Sequence, residues 1–430
     1  MAETTVESLD SEARGVSHVD GKAVFIAGAL PYERVEYTVT KRRASHEVAK
    51  LDSVLVASGS RVMPKCMHFG ICGGCSMQHL ELNAQVAVKQ RVLEEAFRRI
   101  GKVEPDQLLS PVCGGPWQYR HRARFTVRRV AKKGGVLVGF HERGSSYVAD
   151  MNHCEVLPDH VAAQIPELRS LVEKLSIRER LPQIEVAIGE RVTVLVFRVL
   201  EDPTVTDSAV LAEYAERTGF HIWLQAKGPE TASPFWPRNA PPLSYSLPEF
   251  DLEMRFCPTD FTQVNHAVNR ILIRRALGLL DPRPEDRIGD YFCGLGNFTL
   301  PIARSGAFVL GVEGSAGLVE RGRQNAALNG LTGNARFEVA NLFDAEACRR
   351  YTGLDKVLID PPRDGAAELI KSFSDRGPKR LVYVSCDPAT LARDAGMLVH
   401  SVGYRLVKAG VVNMFPNTSH IESIALFDRD

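Results

Sequence analysis

Two short apolar runs, each closed by a polar motif containing proline, constrain this chain most. Lys356 to Ile359 runs into Asp360-Pro361-Pro362-Arg363, and Leu381 to Val384 runs into Ser385-Cys386-Asp387-Pro388. Runs so short, bounded by Pro and Gly, read as buried parallel strands rather than helices. Both motifs then sit at strand C-termini, where open α/β sheets bind their ligands. A carboxylate and a thiol at that edge are candidates for chemistry. The expected fold class is therefore α/β.

The segment upstream supplies a ligand pocket. Arg287 to Phe292 reads as a strand that runs into Cys293-Gly294-Leu295-Gly296-Asn297-Phe298-Thr299, with a helix after it. Glycines at a strand-to-helix turn let a ligand approach the backbone. A second strand, Phe308 to Glu313, ends in an acid about 20 residues past the first glycine, where it can grip two ribose hydroxyls. No third glycine completes a dinucleotide fingerprint, and no Lys-Ser/Thr pair makes a phosphate loop. A nucleoside with little phosphate is implied, and S-adenosylmethionine fits better than NAD or ATP. Asn341, after the strand Ala335 to Val339, is placed to meet the adenine. Phe261-Thr262-Gln263-Val264-Asn265 opens a helix whose apolar face is Val264, Val268, Ile271 and Leu272.

At 430 residues, several domains are expected. Formal net charge is +1, so a nucleic-acid partner must be held by local patches. The densest patch is Tyr119 to Arg129 with Lys132 and Lys133. Alternation puts Arg120, Arg122 and Arg124 on one strand face, to track phosphates while the interleaved rings stack on bases. Residues 1–14, acidic and polar, read as a disordered tail. They lack the apolar core of a signal peptide, and no later run is long enough to span a bilayer, so a cytoplasmic protein is expected.

Nine cysteines without a secretion signal point to metal or catalytic roles rather than disulfides. Cys66-x5-Cys72-Gly73-Gly74-Cys75, with Cys154 far downstream, suits a metal, and the glycines let the loop wrap tightly. Cys113 is an alternative fourth ligand. Spacing alone accommodates tetrahedral zinc or a four-iron cluster. Upstream, Lys22 to Ile26, Glu33 to Val39 and Glu47 to Val56 suggest a small barrel. Asn83 to Ile100 reads as a packing helix whose face includes Val92, Leu93, Ala96, Phe97 and Ile100.

Gly15-x-x-His18-x-Asp20-Gly21-Lys22 with Ala29-Leu30-Pro31 resembles the TRAM domain, an OB-like RNA-binding barrel. With the cysteine set, Phe261-x-Gln263-Val264-Asn265, the glycine loop, Asp360 to Arg363, Ser385 to Pro388 and His420-x-Glu422-Ser423, nearly the whole chain resembles the RNA uracil-5-methyltransferases. The similarity is strongest to bacterial members that act on large-subunit (23S) ribosomal RNA. It implies a Rossmann-like class I S-adenosylmethionine-dependent methyltransferase domain, an N-terminal OB-like barrel and a central α+β iron–sulfur domain. The implied units are 1–58; 59–77 with 111–258; and 78–110 with 259–430. Cys66, Cys72, Cys75 and Cys154 are implied to ligate a 4Fe-4S cluster. Gln263, Phe292, Asn297, Glu313, Asn341 and Asp360 are implied to bind S-adenosyl-L-methionine. Cys386 is the implied nucleophile and Glu422 the implied proton acceptor. Tyr291 and Asn417 depart from the family pattern, which favours a small aliphatic residue and His there. The resemblance implies a monomer acting on a single-stranded or loop uridine.

The chemistry fits pyrimidine electronics. C5 of uracil is too poor a nucleophile to take a methyl group directly. A thiolate adding to C6 makes C5 electron-rich, and a base later removes the C5 proton so that the thiolate can leave.

Overall fold

Parallel pairing of the C-terminal apolar runs builds one eight-stranded sheet. Its order is Ala335–Val339, Phe308–Glu313, Arg287–Tyr291, Lys356–Ile359, Arg380–Ser385, Glu422–Asp428, Arg405–Val412 and Gln107–Leu108. The computed structural model describes residues 2–429. Met1 and Asp430, the outer ends of the first and last expected units, lie outside the described residues. Arg287–Tyr291 has later strands on both sides, so the strand order reverses between it and Lys356–Ile359. Such a reversal opens a crevice at the carboxyl ends of the strands. The last strand, Glu422–Asp428, is antiparallel to Arg380–Ser385, with Ser423 opposite Ser385. Its first residue therefore lies at the ligand edge, beside Cys386.

Helix Leu82–Ala96 packs on this sheet and ends in a wide turn, Phe97–Gly101. Leu93, Ala96 and Phe97 are buried as expected, but Ile100 is 50% exposed. The wider turn rotates it off the apolar stripe. The hairpin Leu243–Leu247 and Leu252–Phe256, expected in the central unit, packs into the core of the large sheet.

The central region has its own six-stranded sheet, in which Arg122–Val130 lies between Gln183–Ile188 and Gly135–Gly139. Two expectations for the basic stretch fail here. Tyr119 and Phe125 are buried in the central core and cannot stack on bases. Arg122 donates to the carbonyls of Asp260 and Pro258, and Arg124 pairs with Glu185 at 3.1 Å. Strand alternation placed Arg122 and Arg124 on one face, but neighbouring carbonyls, invisible in the local sequence, consume Arg122, while Arg124 stays largely exposed beside Glu185.

The N-terminal sheet has six strands around a small core of Val6, Val24, Ile26, Val35 and Tyr37. The expected disordered tail is a second correction. Ala2–Thr5 pairs with Arg34–Tyr37, and Ser8–Leu9 with Gly15 and Val16. Val6 and Leu9 are buried, and the acids that made the segment look unstructured point outward or pair, as Glu7 does with His18 at 2.8 Å.

Candidate active site

The glycine loop after Arg287–Tyr291 turns sharply. Phe292 has φ +62° and Gly294 φ +56°. A Cβ at Gly294 would meet no heavy atom within 4 Å, so the glycine serves its left-handed backbone rather than crowding. The Gly294 N–H donates to Glu313 Oε2 (3.2 Å) and the Ser315 N–H to Glu313 Oε1 (2.9 Å). These bonds orient the carboxylate and leave a lone pair on each oxygen for a pair of hydroxyls.

One cavity of about 720 Å³ opens at this edge of the sheet. It is lined by Gln263, Phe292, Asn297, Glu313, Asn341 and Asp360, and also by Cys386 and Glu422. All eight candidate residues are thus brought together. Asn297 is held on both ends of its amide. Its Oδ1 accepts from Tyr245 Oη (2.9 Å) and Asn269 Nδ2 (2.9 Å), and its Nδ2 donates to Asn269 Oδ1 (3.0 Å). Asn341 accepts the Phe343 N–H at 3.0 Å, and the rings of Phe292 and Phe343 stand 5.6 Å apart.

The floor of the cavity is rich in carboxyl groups. Burial, and then Asp290 nearby, pushes Asp360 up to about 7. Burial also raises Asp290 to about 7, against the hydrogen bond it accepts from Thr299 Oγ1 (2.5 Å). Glu422 is buried and is held well above the usual carboxylate range, first by desolvation and then by Asp360. Cys386 is half-buried. Desolvation first, then Glu422 and Asp360, raise its thiol to about 11, while Arg363 pulls the other way. At neutral pH Cys386 is therefore a thiol, and burial disfavours the charged form of Glu422.

The two residues that hold Asn297 carried no role from the sequence. Asn269 is a polar residue on the buried face of helix His266–Leu280, which is a readable signal. Tyr245, in the hairpin, gave none. Of the basic stretch, Arg120 alone reaches the cavity, where it joins Arg363, His420 and Phe415.

The thiols gather elsewhere. Cys72 and Cys75 pack against the central core that includes Cys154. Cys66 and Cys72 each add to the charge felt by Cys75, and Cys75 and Cys72 to that felt by Cys154. A Cβ at Gly73 would stand 3.1 Å from the His141 carbonyl oxygen, so the loop does wrap tightly there. Cys113 is exposed, and beyond desolvation its titration is governed by Lys89, not by the other thiols. Desolvation pushes Cys75 up to about 11 and Cys154 to about 12. Four neighbouring thiols in that state ionise together only around a cationic centre, so the donor set fits one. Among the described residues, no group of three or more His, Cys, Asp or Glu is drawn together tightly enough for a single ion.

A family model described as tRNA (Uracil-5-)-methyltransferase matches residues 81–430. The chain belongs to that family. The protein is an S-adenosylmethionine-dependent RNA uracil-5-methyltransferase. Among curated relatives, the 23S rRNA (uracil(1939)-C(5))-methyltransferase RlmD of Nitrosospira multiformis is 57% identical, covering 100% of this chain and 98% of its own. The protein of the same name from Thiobacillus denitrificans is 59% identical, over 98% of each chain. Among solved structures, the Pyrococcus abyssi tRNA (uracil-54, C5)-methyltransferase in complex with S-adenosyl-L-homocysteine is 22% identical. It covers 99% of this chain and 100% of its own with a TM-score of 0.76, a match of fold. The family match begins at residue 81, beyond the N-terminal sheet and Cys66, Cys72 and Cys75. No helix among the described residues is long and apolar enough to cross a membrane.

Proposed function

We propose that this enzyme methylates C5 of a uridine in 23S ribosomal RNA, with Cys386 as nucleophile and Glu422 as the base for the C5 proton. The observation that carries the reading is the single cavity lined by both groups and by the nucleoside-binding loop. S-adenosylmethionine supplies an electrophilic methyl group on a sulfonium; the chain's own residues do the rest. Glu313 takes the ribose hydroxyls, Phe292 and Phe343 flank the adenine with Asn341, and the remaining N–H of Asn297 faces the methionine carboxylate. Gln263 completes the donor pocket.

Cys386 sheds its proton, adds to C6 and makes C5 nucleophilic. After C5 has taken the methyl group, Glu422 removes its proton and the Cys386 Sγ–C6 bond breaks. Cys386 rests as a thiol and must ionise first, and burial holds Glu422 back from ionising. Positive charge arriving beside Asp360 and Glu422 favours their carboxylate forms. Asp360, at about 7, is the acceptor nearest neutrality for the thiol proton. The target base must leave its stack, which favours a loop and costs on the order of a few kcal/mol. Arg120, Arg363 and His420 are the polar groups that would meet the entering nucleotide.

The four cysteines are proposed to hold a 4Fe-4S cluster. Their common setting at the edge of the central core and the mutual effect of the thiols on one another support a shared cationic centre. The N-terminal sheet is proposed to act as a TRAM-type RNA-binding module. The enzyme is proposed to work as a monomer in the cytoplasm, where bacterial ribosomal RNA is met. Full-length relatives named for 23S rRNA favour that substrate over transfer RNA. Radiolabelled methyl transfer to 23S rRNA and to bulk tRNA, followed by mass mapping, tests it. Label in 5-methyluridine of 23S rRNA is expected; label confined to tRNA would overturn the substrate assignment.

A further inference from the structure

The segment 413–421 links strand Arg405–Val412 to strand Glu422–Asp428, and it carries Phe415 and His420 into the cavity. It has no regular structure of its own, so its position must be set by what it touches. Its centre is Asn417, 1% exposed, with φ +67°. Asn is one of the few residue types besides Gly that tolerates this region.

Every polar group of Asn417 is engaged. Its carbonyl accepts the N–H groups of Ser76 and Met77, both at 3.0 Å, immediately after Cys75. Its N–H donates to Gln85 Oε1 at 2.9 Å, and Gln85 Nε2 returns to the Met77 and Leu80 carbonyls. Its Nδ2 donates to the Pro116 carbonyl at 2.9 Å. Two residues on, the Ser419 N–H donates to Ser76 Oγ at 2.8 Å. The end of the cysteine loop and the approach to Glu422 therefore share one buried hydrogen-bond node.

We infer that Asn417 is a positioning residue through which the cysteine loop fixes the location of Glu422 and His420 in the reaction cavity. The inference rests on the proposed roles of Glu422 and of the cysteines. Order in the cysteine loop is transmitted to the catalytic carboxyl by backbone hydrogen bonds, with no group moving between the two sites. If the thiols lose their shared centre, the Ser76 and Met77 donors drift and Asn417 loses what holds it in the left-handed region.

The test is hydrogen–deuterium exchange on the full-length protein, comparing wild type with Cys75→Ser, Ser76→Ala and Asn417→Gly. Glycine keeps the backbone conformation and removes only the side-chain bonds. Exchange across 413–421 should rise by about tenfold in Cys75→Ser and Asn417→Gly, and by less in Ser76→Ala, on the scale of losing one or two buried hydrogen bonds. Exchange across 22–56 in the N-terminal sheet should stay at the wild-type rate. In turnover, Asn417→Gly should lower kcat by about tenfold with KM for S-adenosylmethionine within about twofold, and protein–RNA adduct should accumulate because late proton removal slows. If segment 413–421 exchanges at the wild-type rate in Asn417→Gly, the inference is wrong. It is equally wrong if the cysteine loop loosens in Cys75→Ser and the segment stays protected. Should Cys75→Ser fail to fold, the other two variants decide. Exchange needs no substrate, so a wild-type enzyme inactive on RNA would sink the functional reading without changing this result.

Discussion

The reaction cavity and the cysteine loop both bury ionisable groups, and they solve that problem differently. In the cavity, Asp360 and Asp290 stand at about 7 and Arg363 offsets part of the cost of a Cys386 anion. Those groups can change protonation state within an ordinary pH range. In the loop, Cys75 and Cys154 stand at about 11 and 12, and each thiol makes its neighbours harder to ionise. The first region is tuned to exchange protons as charge enters and leaves. The second would ionise around a bound cation, as proposed for the cluster. Cys386 and Cys75 are both pushed up to about 11, so what separates them is the kind of neighbour, carboxyl groups in the one case and further thiols in the other.

The sharpest way to break the contrast is at the sulfurs. Cys386→Ala should abolish methyl transfer, by roughly four orders of magnitude or more, while RNA binding and Tm stay near wild type. Cys75→Ser should instead lower Tm and strip iron and sulfide from anaerobically purified protein, with methyl transfer lost only in part. Brown wild-type protein is expected; colourless protein carrying zinc would refute the cluster. Glu422→Gln keeps the shape of the buried side chain and removes its charge, so folding should be retained. Turnover should fall by about 10²- to 10⁴-fold, and a covalent RNA adduct should persist on denaturing gels.

The pH dependence sharpens the cavity side of the comparison. Burial raises Asp360, and a bound cation favours its ionised form. Binding of S-adenosylmethionine should then release a proton below about pH 7. Affinity should rise with pH, by up to about tenfold per unit, and level off above about 7. Titration calorimetry on wild type and Asp360→Asn measures this, and the variant should flatten the profile. The smallest effect is expected at Tyr245→Phe. It removes one of two hydrogen bonds to Asn297 Oδ1 and should raise KM for the donor about threefold to tenfold, with kcat little changed.

How much of this was legible follows the range of the interactions. The strands ending at Glu313, Ile359 and Ser385 were readable because buried parallel strands are short apolar runs with motifs at their ends. Glu313, Asp360 and Cys386 follow from those ends; the roles of Gln263 and Glu422 came from the family resemblance. Arg122 was readable as basic but not as spent, because the carbonyls that consume it lie in residues 258–260. The N-terminal strand was hidden because two apolar residues, Val6 and Leu9, carry its burial among acids. Tyr245 was hidden because nothing local marks a tyrosine whose partner is 52 positions away. Asn417 was noted only as a departure from the family pattern, and its left-handed backbone and shared node emerge only in three dimensions.

The most direct measurement is mass spectrometry of the denatured, protease-digested complex formed with S-adenosylmethionine and RNA containing 5-fluorouracil at the target position. Fluorine at C5 cannot leave as a proton does, so the adduct cannot resolve. The account predicts one cross-linked peptide, with methylated fluorouracil attached through C6 to the sulfur of Cys386. A cross-link at any other residue, or methylated RNA with no covalent species at all, would contradict it.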